Sequence, residues 1–404
     1  MASLQSMLDA PPAKADPKDF SIILGGPLYQ LLRRAHISGD ALELLRRRVI
    51  TISMFTWLPL LLLCAIAGTA FGDAVAIPFI EDVQVHARFL LAMPLLILAE
   101  LVVHLRLRPV AAEFVTRGLV ADSLQARFNE CLRSAMRLRN SVIAELLILV
   151  VIYGIGVTVV WREAAVLDVS TWYATASNGE SRLTLAGIWY VYVSVPVFQF
   201  LLLRWYYRVF IWMRFLWQVS RIPLAISAMH GDRMAGLGFL AGTVFAFVPL
   251  AMAHGALLAG TIANQILYAG AKLVDSKFEI ASVVAMLLLL VLGPLVVFAP
   301  QVAAAKRHAL RIYGRLSQRY VREFEATWLP GGVPSDAPLL GAADIQSLAD
   351  LSNSIETLRS TKTLPITRDA VLGLAIATLV PLAPLLLTVF PAEEIATRLL
   401  KLLL

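Results

Sequence analysis

The chain has little charge and little cysteine for its length. Only 16% of its 404 residues are Asp, Glu, Lys or Arg, whereas soluble proteins average about 25%. Its two cysteines are Cys64, in an apolar run, and Cys131, in a basic stretch; this spacing predicts neither a disulfide nor a metal site. Apolar residues make up 59% of the chain and the mean hydropathy is +0.75. This composition excludes an ordinary soluble domain.

Familiar catalytic motifs are also missing from the sequence. It has no Walker P-loop, no HExxH helix and no G-x-S-x-G nucleophile elbow. It also lacks the T-V-G-Y-G string of potassium filters. The sequence therefore favours a protein that is not an enzyme, and it predicts no cofactor and no metal.

The apolar residues are gathered into seven blocks, each long enough to cross a hydrocarbon core of about 30 Å as a helix. The blocks run from Val49 to Ala70, Phe89 to Leu105, Ser141 to Trp161, Ala186 to Leu203, Leu237 to Gly260, Phe278 to Ala299 and Ala370 to Phe390. Unbroken apolar runs predict helices, because each backbone polar group in lipid must be satisfied within its own segment. We expect an all-α, polytopic transmembrane bundle of about seven spans, kinked by internal prolines.

Basic residues predict the orientation of this bundle. Residues 1–48, 106–140, 204–236 and 300–369 hold 28 of the 35 Lys and Arg residues. Because cytoplasmic loops are enriched in basic residues, we expect these segments and the N-terminus inside a bacterial-type inner membrane. The net charge of +7 then reflects topology and contact with anionic lipid, and no nucleic-acid partner is expected.

The predicted spans divide the chain into five regions. These are a cytoplasmic N-terminal segment with short helices (1–48), six spans with helical cytoplasmic loops (49–300), a cytoplasmic helical region (301–369), a seventh span (370–390) and a C-terminal interfacial helix (391–404). No cleavable signal peptide is expected, since the first region is polar. In the third region, arginines recur at Arg307, Arg311 and Arg315 opposite an apolar face. We expect them to meet lipid headgroups, and a helix after Pro330 to complete a small cytoplasmic cap.

Ionisable residues inside the predicted spans are the main candidates for function, because burying them in lipid is costly. Glu100 and His104 share one face of the second span, and Glu145 begins the third at a similar depth. Arg204 ends the fourth span on the same side. We expect these groups to meet, either as a proton or ion pathway or as a structural salt bridge. His254, in the fifth span, is a further pathway candidate; its depth argues against sharing a haem with His104.

An arginine- and tryptophan-rich run follows the fourth span. It contains Arg208, Trp212, Arg214 and Trp217, and this composition is typical of a helix at the membrane interface. The same residues are candidates for a site that binds a lipid or quinone headgroup.

Glycines predict close helix packing at the start of the fifth span. Gly238 and Gly242 have the spacing of a GxxxG motif, and Asp232 just before them is a candidate helix cap. We expect a close helix contact at these glycines, within one chain or between the subunits of a homo-oligomer.

Four short strings resemble uncharacterised multi-spanning proteins predicted in bacterial genomes. They are Ala99–His104, Leu203–Arg208, His230–Arg233 and Gln346–Asp350. The resemblance implies a bacterial membrane protein and no particular activity. The buried charges favour membrane transport by an oligomeric channel or carrier for a small ion or solute. The alternatives are a scaffold or sensor whose cytoplasmic helices bind a partner, and a membrane-embedded enzyme acting on lipid or quinone.

The orientation can be tested by labelling from the periplasm. A probe placed as Asn178→Cys should be modified by an impermeant reagent, because the loop around residue 178 is expected outside. A matched probe placed as Ser335→Cys should react only after the membrane is opened. The reverse pattern would overturn the orientation.

Overall fold

The computed structural model describes residues 20–26, 45–158, 170–177, 180–329 and 343–388. It is 79% helical, which confirms the all-α, polytopic transmembrane bundle. The helices are α1 (Leu45–Ala67), α2 (Val83–Thr116), α3 (Gln125–Arg139), α4 (Val142–Gly156), α5 (Leu185–Val219), α6 (Gly238–Ala269), α7 (Lys277–Trp328), α8 (Ala343–Ser360) and α9 (Arg368–Thr388). An antiparallel hairpin joins β1 (Ala174–Ser177) to β2 (Glu180–Leu183). Within these ranges, six helices are long and apolar enough to span a membrane, or seven if the bent pair α3–α4 is one span.

The third predicted span differs from the simple helix expected between Ser141 and Trp161. Asn140 ends α3, and Ser141 caps α4 by accepting the backbone N–H of Ala144 at 3.3 Å. These two caps interrupt the helix, and α3 and α4 therefore meet at a bend of 44°. The second predicted span also differs, since the apolar block ends at Leu105 but α2 continues through Pro109 to Thr116.

Three other predicted features lie outside the described residues. They are the short helix before the first span, the turn at Pro330 and the C-terminal interfacial helix at 391–404. The predicted helix after Pro330 is present as α8, which packs on the end of α7. There, the Tyr320 hydroxyl donates to the Asp344 carbonyl oxygen at 3.0 Å.

Prolines coincide with irregular turns in most of the spans. A proline removes one helical donor, and membrane helices accommodate this by local changes of helical pitch. Pro94 and Pro196 directly follow π-helical turns, and Pro249 follows the 3₁₀ stretch Gly238–Phe247. Pro294 lies within another 3₁₀ stretch.

The ends of the helices define two sides of the bundle. We call the side where α1 begins the basic side; α2, α5 and α7 end there. The opposite side, which carries β1 and β2, is the hairpin side. Long-range contacts agree with this arrangement, since Ile77 pairs with Thr171 near the hairpin, whereas Lys306 donates to the Arg359 carbonyl on the basic side.

The helix α6 lies at the centre of the bundle. In its most apolar 18-residue stretch, 61% of the residues are buried, compared with 22% in α1 and α7. Gly255 packs against the Thr378 carbonyl of α9, and Gly260 packs against Gln84 and Ala87 of α2. These two glycines let the helix backbones approach each other closely.

Gly238 and Gly242 do not form the predicted close contact with another described helix of the same chain. Gly238 faces the Asp232 side chain, and a methyl group at Gly242 would meet no atom within 4 Å. The reason is that α6 begins as a 3₁₀ stretch, while its close crossings lie further along, at Gly255 and Gly260.

A leucine at Gly255 should destabilise the fold. The new side chain would collide with the Thr378 carbonyl, and overpacking typically costs about 1–3 kcal/mol. Gly242→Leu is the matched control on the same helix and should change the stability of the monomer by less than about 0.5 kcal/mol. Thermal unfolding in detergent would measure both. Equal losses in the two variants would contradict this account of the packing.

Candidate functional site

A buried carboxylate in α2 organises the site. Glu100 is 2% exposed and pairs with arginines from two other helices. Its Oε2 contacts Arg48 of α1, and its Oε1 accepts from Arg208 Nη1 of α5 at 2.7 Å. Arg204 Nη1, one turn earlier in α5, lies 3.9 Å from the same Oε1. Three guanidinium groups therefore surround one carboxylate.

The network continues into α4. Arg204 Nε lies 3.3 Å from Glu145 Oε1, so this arginine bridges both acids. We call Arg48, Glu100, Glu145, Arg204 and Arg208 the arginine–glutamate cluster. The sequence-based expectation that Glu100, Glu145 and Arg204 meet agrees with this geometry, whereas Arg48 was not among the expected members.

The fold of α5 explains how its two arginines reach Glu100. Arg204 and Arg208 are one turn apart and therefore lie on the same face. Trp205 holds the helix against α2 by donating Nε1 to the Leu96 carbonyl at 2.9 Å, and the Arg208 guanidinium lies 5.0 Å from its ring centre. A cation over an indole face is favourable when both are buried.

His104 belongs to a neighbouring contact rather than to the pair with Glu100. Its Nδ1 lies 2.9 Å from Ser21 Oγ. This oxygen also accepts the backbone N–H groups of Ile23 and Leu24, at 3.1 and 3.0 Å. Both lone pairs of the hydroxyl are thus occupied, so its proton is donated to His104 Nδ1. The imidazole is then neutral, with its proton on Nε2.

Residues 20–26, the 20–26 segment, form a buried cover at this end of the bundle. Phe20 stacks on Phe215 with ring centres 4.8 Å apart, and the Ser21 carbonyl accepts from Arg139 Nη1 at 2.7 Å. Gly26 donates to Asn140 Oδ1 at 3.0 Å. The described part of the segment therefore ties α3 to α5.

Sequence analysis missed this segment because residues 1–48 are polar on average. The signal was a local one: five residues from Phe20 to Leu24 are mostly apolar and precede two glycines. Gly26 has a φ of +90°, and a methyl group there would meet Glu145 Oε1 at 3.4 Å and Arg204 Nη2 at 3.5 Å. The segment thus lies directly against the arginine–glutamate cluster.

Two of the predicted headgroup residues are inside the bundle. Arg208 binds Glu100, and Trp212 is 1% exposed beside Phe20 and Phe215. Both are corrections, because this face of α5 packs on α2 and on the 20–26 segment and is closed to headgroups. Arg214 is half-buried, and Trp217 is exposed with Arg221 over its ring. The remaining predicted residues are exposed on the extension of α7: Arg307, Arg311 and Arg315.

His254 forms a separate contact in α6. Its Nδ1 donates to the Leu250 carbonyl at 2.8 Å, which leaves Nε2 to accept the Tyr206 hydroxyl at 2.7 Å. His254 thus links α6 to α5 and, among the described residues, makes no hydrogen bond or ion pair with the arginine–glutamate cluster. Within the described ranges, no group of three or more His, Cys, Asp or Glu residues is arranged to hold a metal ion.

The hairpin side has a buried polar group of its own, centred on Asp82, which was not predicted from the sequence. Asp82 is buried and accepts from Trp172 Nε1 at 2.9 Å and from Asn264 Nδ2 at 2.8 Å. Its Oδ1 also accepts the backbone N–H of Val85 and so caps the start of α2. Asp82 therefore joins the segment just before β1 to α2 and α6, through contacts between residues 90 and 182 positions apart in sequence.

Asp232 caps the start of α6, as predicted. It accepts the backbone N–H groups of Met234, Gly236 and Gly238, at 2.8, 3.1 and 2.8 Å. Burial raises the pKa of this carboxyl group, but the three hydrogen bonds favour the charged form and the net effect is a lowered pKa. Arg233 and Ala235 take positive φ angles, of 54° and 59°, to bring the three donors together.

Comparisons with known proteins leave the site to be interpreted from its own geometry. No protein-family model, curated protein or solved structure matches this chain.

Stability should depend on the charge of Asp232. Because its folded-state pKa is lowered, the carboxylate stabilises the fold above the unfolded pKa of about 4, and this contribution is lost as the pH falls through the folded pKa. Asp232→Asn should therefore cost about 1–3 kcal/mol at neutral pH. The difference in melting temperature from the wild type should shrink below about pH 4. Asp73→Asn, on an exposed loop, is the control. A difference that is independent of pH would contradict this role.

Proposed function

We propose that this protein transports a small anion across the membrane, with the arginine–glutamate cluster as its binding point. The observation that carries the proposal is an excess of buried positive charge. Among the described residues of the cluster, three arginines face two glutamates. A buried charge without full compensation is costly, and an anion entering the cluster would relieve this cost.

An unused hydrogen-bond donor supports an anion as the substrate. Arg48 is 2% exposed, and its Nε has no hydrogen-bond partner among the described residues. Buried donors are normally satisfied, and guanidinium groups bind oxyanions and halides through their N–H groups. Rings of arginine and lysine similarly select anions in pores.

The hydrogen bonds of Glu100 and His104 favour an anion site over the alternative of a proton relay. Glu100 is held by arginines, and a carboxylate in such surroundings stays charged rather than exchanging protons. His104 is directed to Ser21 and not to Glu100. A relay through Glu100 and His104 would need both contacts to rearrange.

The 20–26 segment gives the proposed pathway a closed state. Gly26 lies against Arg204 and Glu145, and Phe20 fills the space beside Phe215. Access from the basic side then requires this segment to move. We propose that the described arrangement is the closed one, and that the basic side is cytoplasmic, because it carries most of the arginines.

We further propose that the chain works as a homo-oligomer in a bacterial inner membrane. Gly242 is exposed, and a methyl group at this position would meet no other part of the described chain within 4 Å. It lies on the central helix α6, where a second copy can approach closely. Anionic lipids would meet the exposed arginines of α7 in the same assembly.

A scaffold or sensor is the second candidate, and the extension of α7 favours it. The extension exposes Ile312 and Leu316, each 49% accessible, together with Arg311 and Arg315. Exposed apolar residues beside arginines are typical of surfaces that bind a partner. In this case the arginine–glutamate cluster holds the bundle together and carries no flux. An enzyme acting on lipid or quinone remains a third prediction.

Anion flux into proteoliposomes tests the proposal. The wild-type protein should pass chloride or nitrate faster than protein-free vesicles, and Arg204→Gln should slow this flux about tenfold by removing one charge-assisted contact. Arg204→Lys keeps the charge and should retain most of the flux. Arg311→Gln, on the exposed extension of α7, is the matched control and should behave as wild type.

The same experiment separates the candidates. Flux no faster than in protein-free vesicles would contradict transport and favour the scaffold. A flux of cations but not anions would contradict the assignment of the substrate. Thermal unfolding of each variant shows whether a lost flux reflects a lost fold.

A further inference from the structure

A groove runs along the outer surface between α5 and α7. Its deeper part is an apolar cavity of about 700 Å³. The wall from α5 includes Tyr206, Phe210 and Met213, and the wall from α7 includes Ala285, Met286 and Leu289. Several of these side chains are open to the surroundings; Leu289, for example, is 74% exposed. Because both helices are membrane-spanning, the groove opens toward lipid.

A second cavity continues the groove toward the basic side. It measures about 450 Å³ and is lined by Trp217, Ser220, Arg221, Gly293, Pro300 and Gln301. Both cavities lie between the same two helices, and both are lined by residues of the 3₁₀ stretch Gly293–Phe298 of α7. The groove is therefore almost entirely apolar in the membrane and more polar at the end of the span.

The polar end offers a positive charge at the depth of lipid headgroups. Arg221 is exposed, and its guanidinium lies 5.3 Å from the centre of the Trp217 ring. Tryptophan is enriched at the membrane–water boundary, and arginine binds phosphate through paired N–H donors. The neighbouring helix ends, at Val219 in α5, agree with this depth.

The polar end also holds an unused acceptor. Gln301 Nε2 donates to the carbonyl oxygens of Ser220 and Ile222, at 2.6 and 2.8 Å. Both partners are acceptors, so the amide is oriented with its nitrogen toward them. Its Oε1 is then buried without a hydrogen-bond partner among the described residues. A ligand that fits this end must bring a donor as well as a negative charge.

We propose that the α5–α7 groove binds a phospholipid with a negatively charged, hydroxyl-bearing headgroup, such as phosphatidylglycerol. The phosphate lies at Arg221, a headgroup hydroxyl donates to Gln301 Oε1, and one acyl chain fills the apolar cavity. The lengths agree: the α7 wall from Ser282 to Pro294 rises roughly 18 Å, close to the roughly 15 Å of hydrocarbon in one leaflet. This site is independent of the proposed transport.

Native mass spectrometry of the purified full chain tests the proposal. The protein would be released from mixed micelles that contain equal amounts of phosphatidylglycerol and phosphatidylcholine. The wild type should retain phosphatidylglycerol in preference. Arg221→Gln should weaken this retention about tenfold, as expected for one charge-assisted contact. Arg319→Gln removes an exposed arginine far along α7 and should retain lipid as the wild type does.

A second pair of variants tests the acyl part of the groove. Ala285→Phe fills the apolar cavity and should reduce retention of both lipids. Ala281→Phe adds the same side chain one turn earlier on α7, outside the cavity, and should have no effect. All four positions are exposed, so the variants should keep the wild-type melting temperature in lipid-free detergent.

Three outcomes would overturn the proposal. The first is equal retention of the two lipids by the wild type, and the second is unchanged retention in Arg221→Gln and Ala285→Phe. The third is a change of oligomeric mass in Ala285→Phe without any change in bound lipid, which would make the groove a contact between two copies of the chain.

Discussion

The burial of Glu100 among arginines is the constraint on which the arrangement of the basic half of the bundle depends. A carboxylate at 2% exposure is tolerated in a membrane only when it is paired, and its partners come from α1 and α5. The pairing therefore sets how far each helix is inserted and how each is rotated. Arg204 extends the same constraint to α4 through Glu145. Four helices are thus held in register by one connected set of charges.

A loop segment is buried at the same end of the bundle. The 20–26 segment lies against the arginine–glutamate cluster at Gly26, and its polar contacts are to residues around the cluster. Arg139 binds the Ser21 carbonyl, and Ser21 in turn holds His104. Glycine at residue 26 lets the backbone approach Arg204 without a side chain in between. The 20–26 segment would make these same contacts whether it closes the bundle permanently or moves away to open a pathway.

The helix α5 connects the interior of the bundle to the lipid. One face carries Arg204 and Arg208 toward Glu100, and the other lines the groove shared with α7. Tyr206 takes part in both environments, since it binds His254 inside and borders the groove outside. The same helix therefore positions both the buried charges and one wall of the groove.

The sequence alone determined the class of the protein and six of its spans, because the length and apolarity of a segment decide whether it can cross a membrane. It also placed Glu100, Glu145 and Arg204 at one depth, since depth follows from position along each span. The sequence did not reveal that Arg48 joins them, because its neighbours Arg46 and Arg47 are equally typical of a basic flank. Likewise, nothing local distinguishes Gly255 and Gly260 from Gly242, or relates Asp82 to Asn264. Those assignments depend on how the helices are rotated about their axes and which helices are neighbours, and only the tertiary structure decides rotation and neighbourhood.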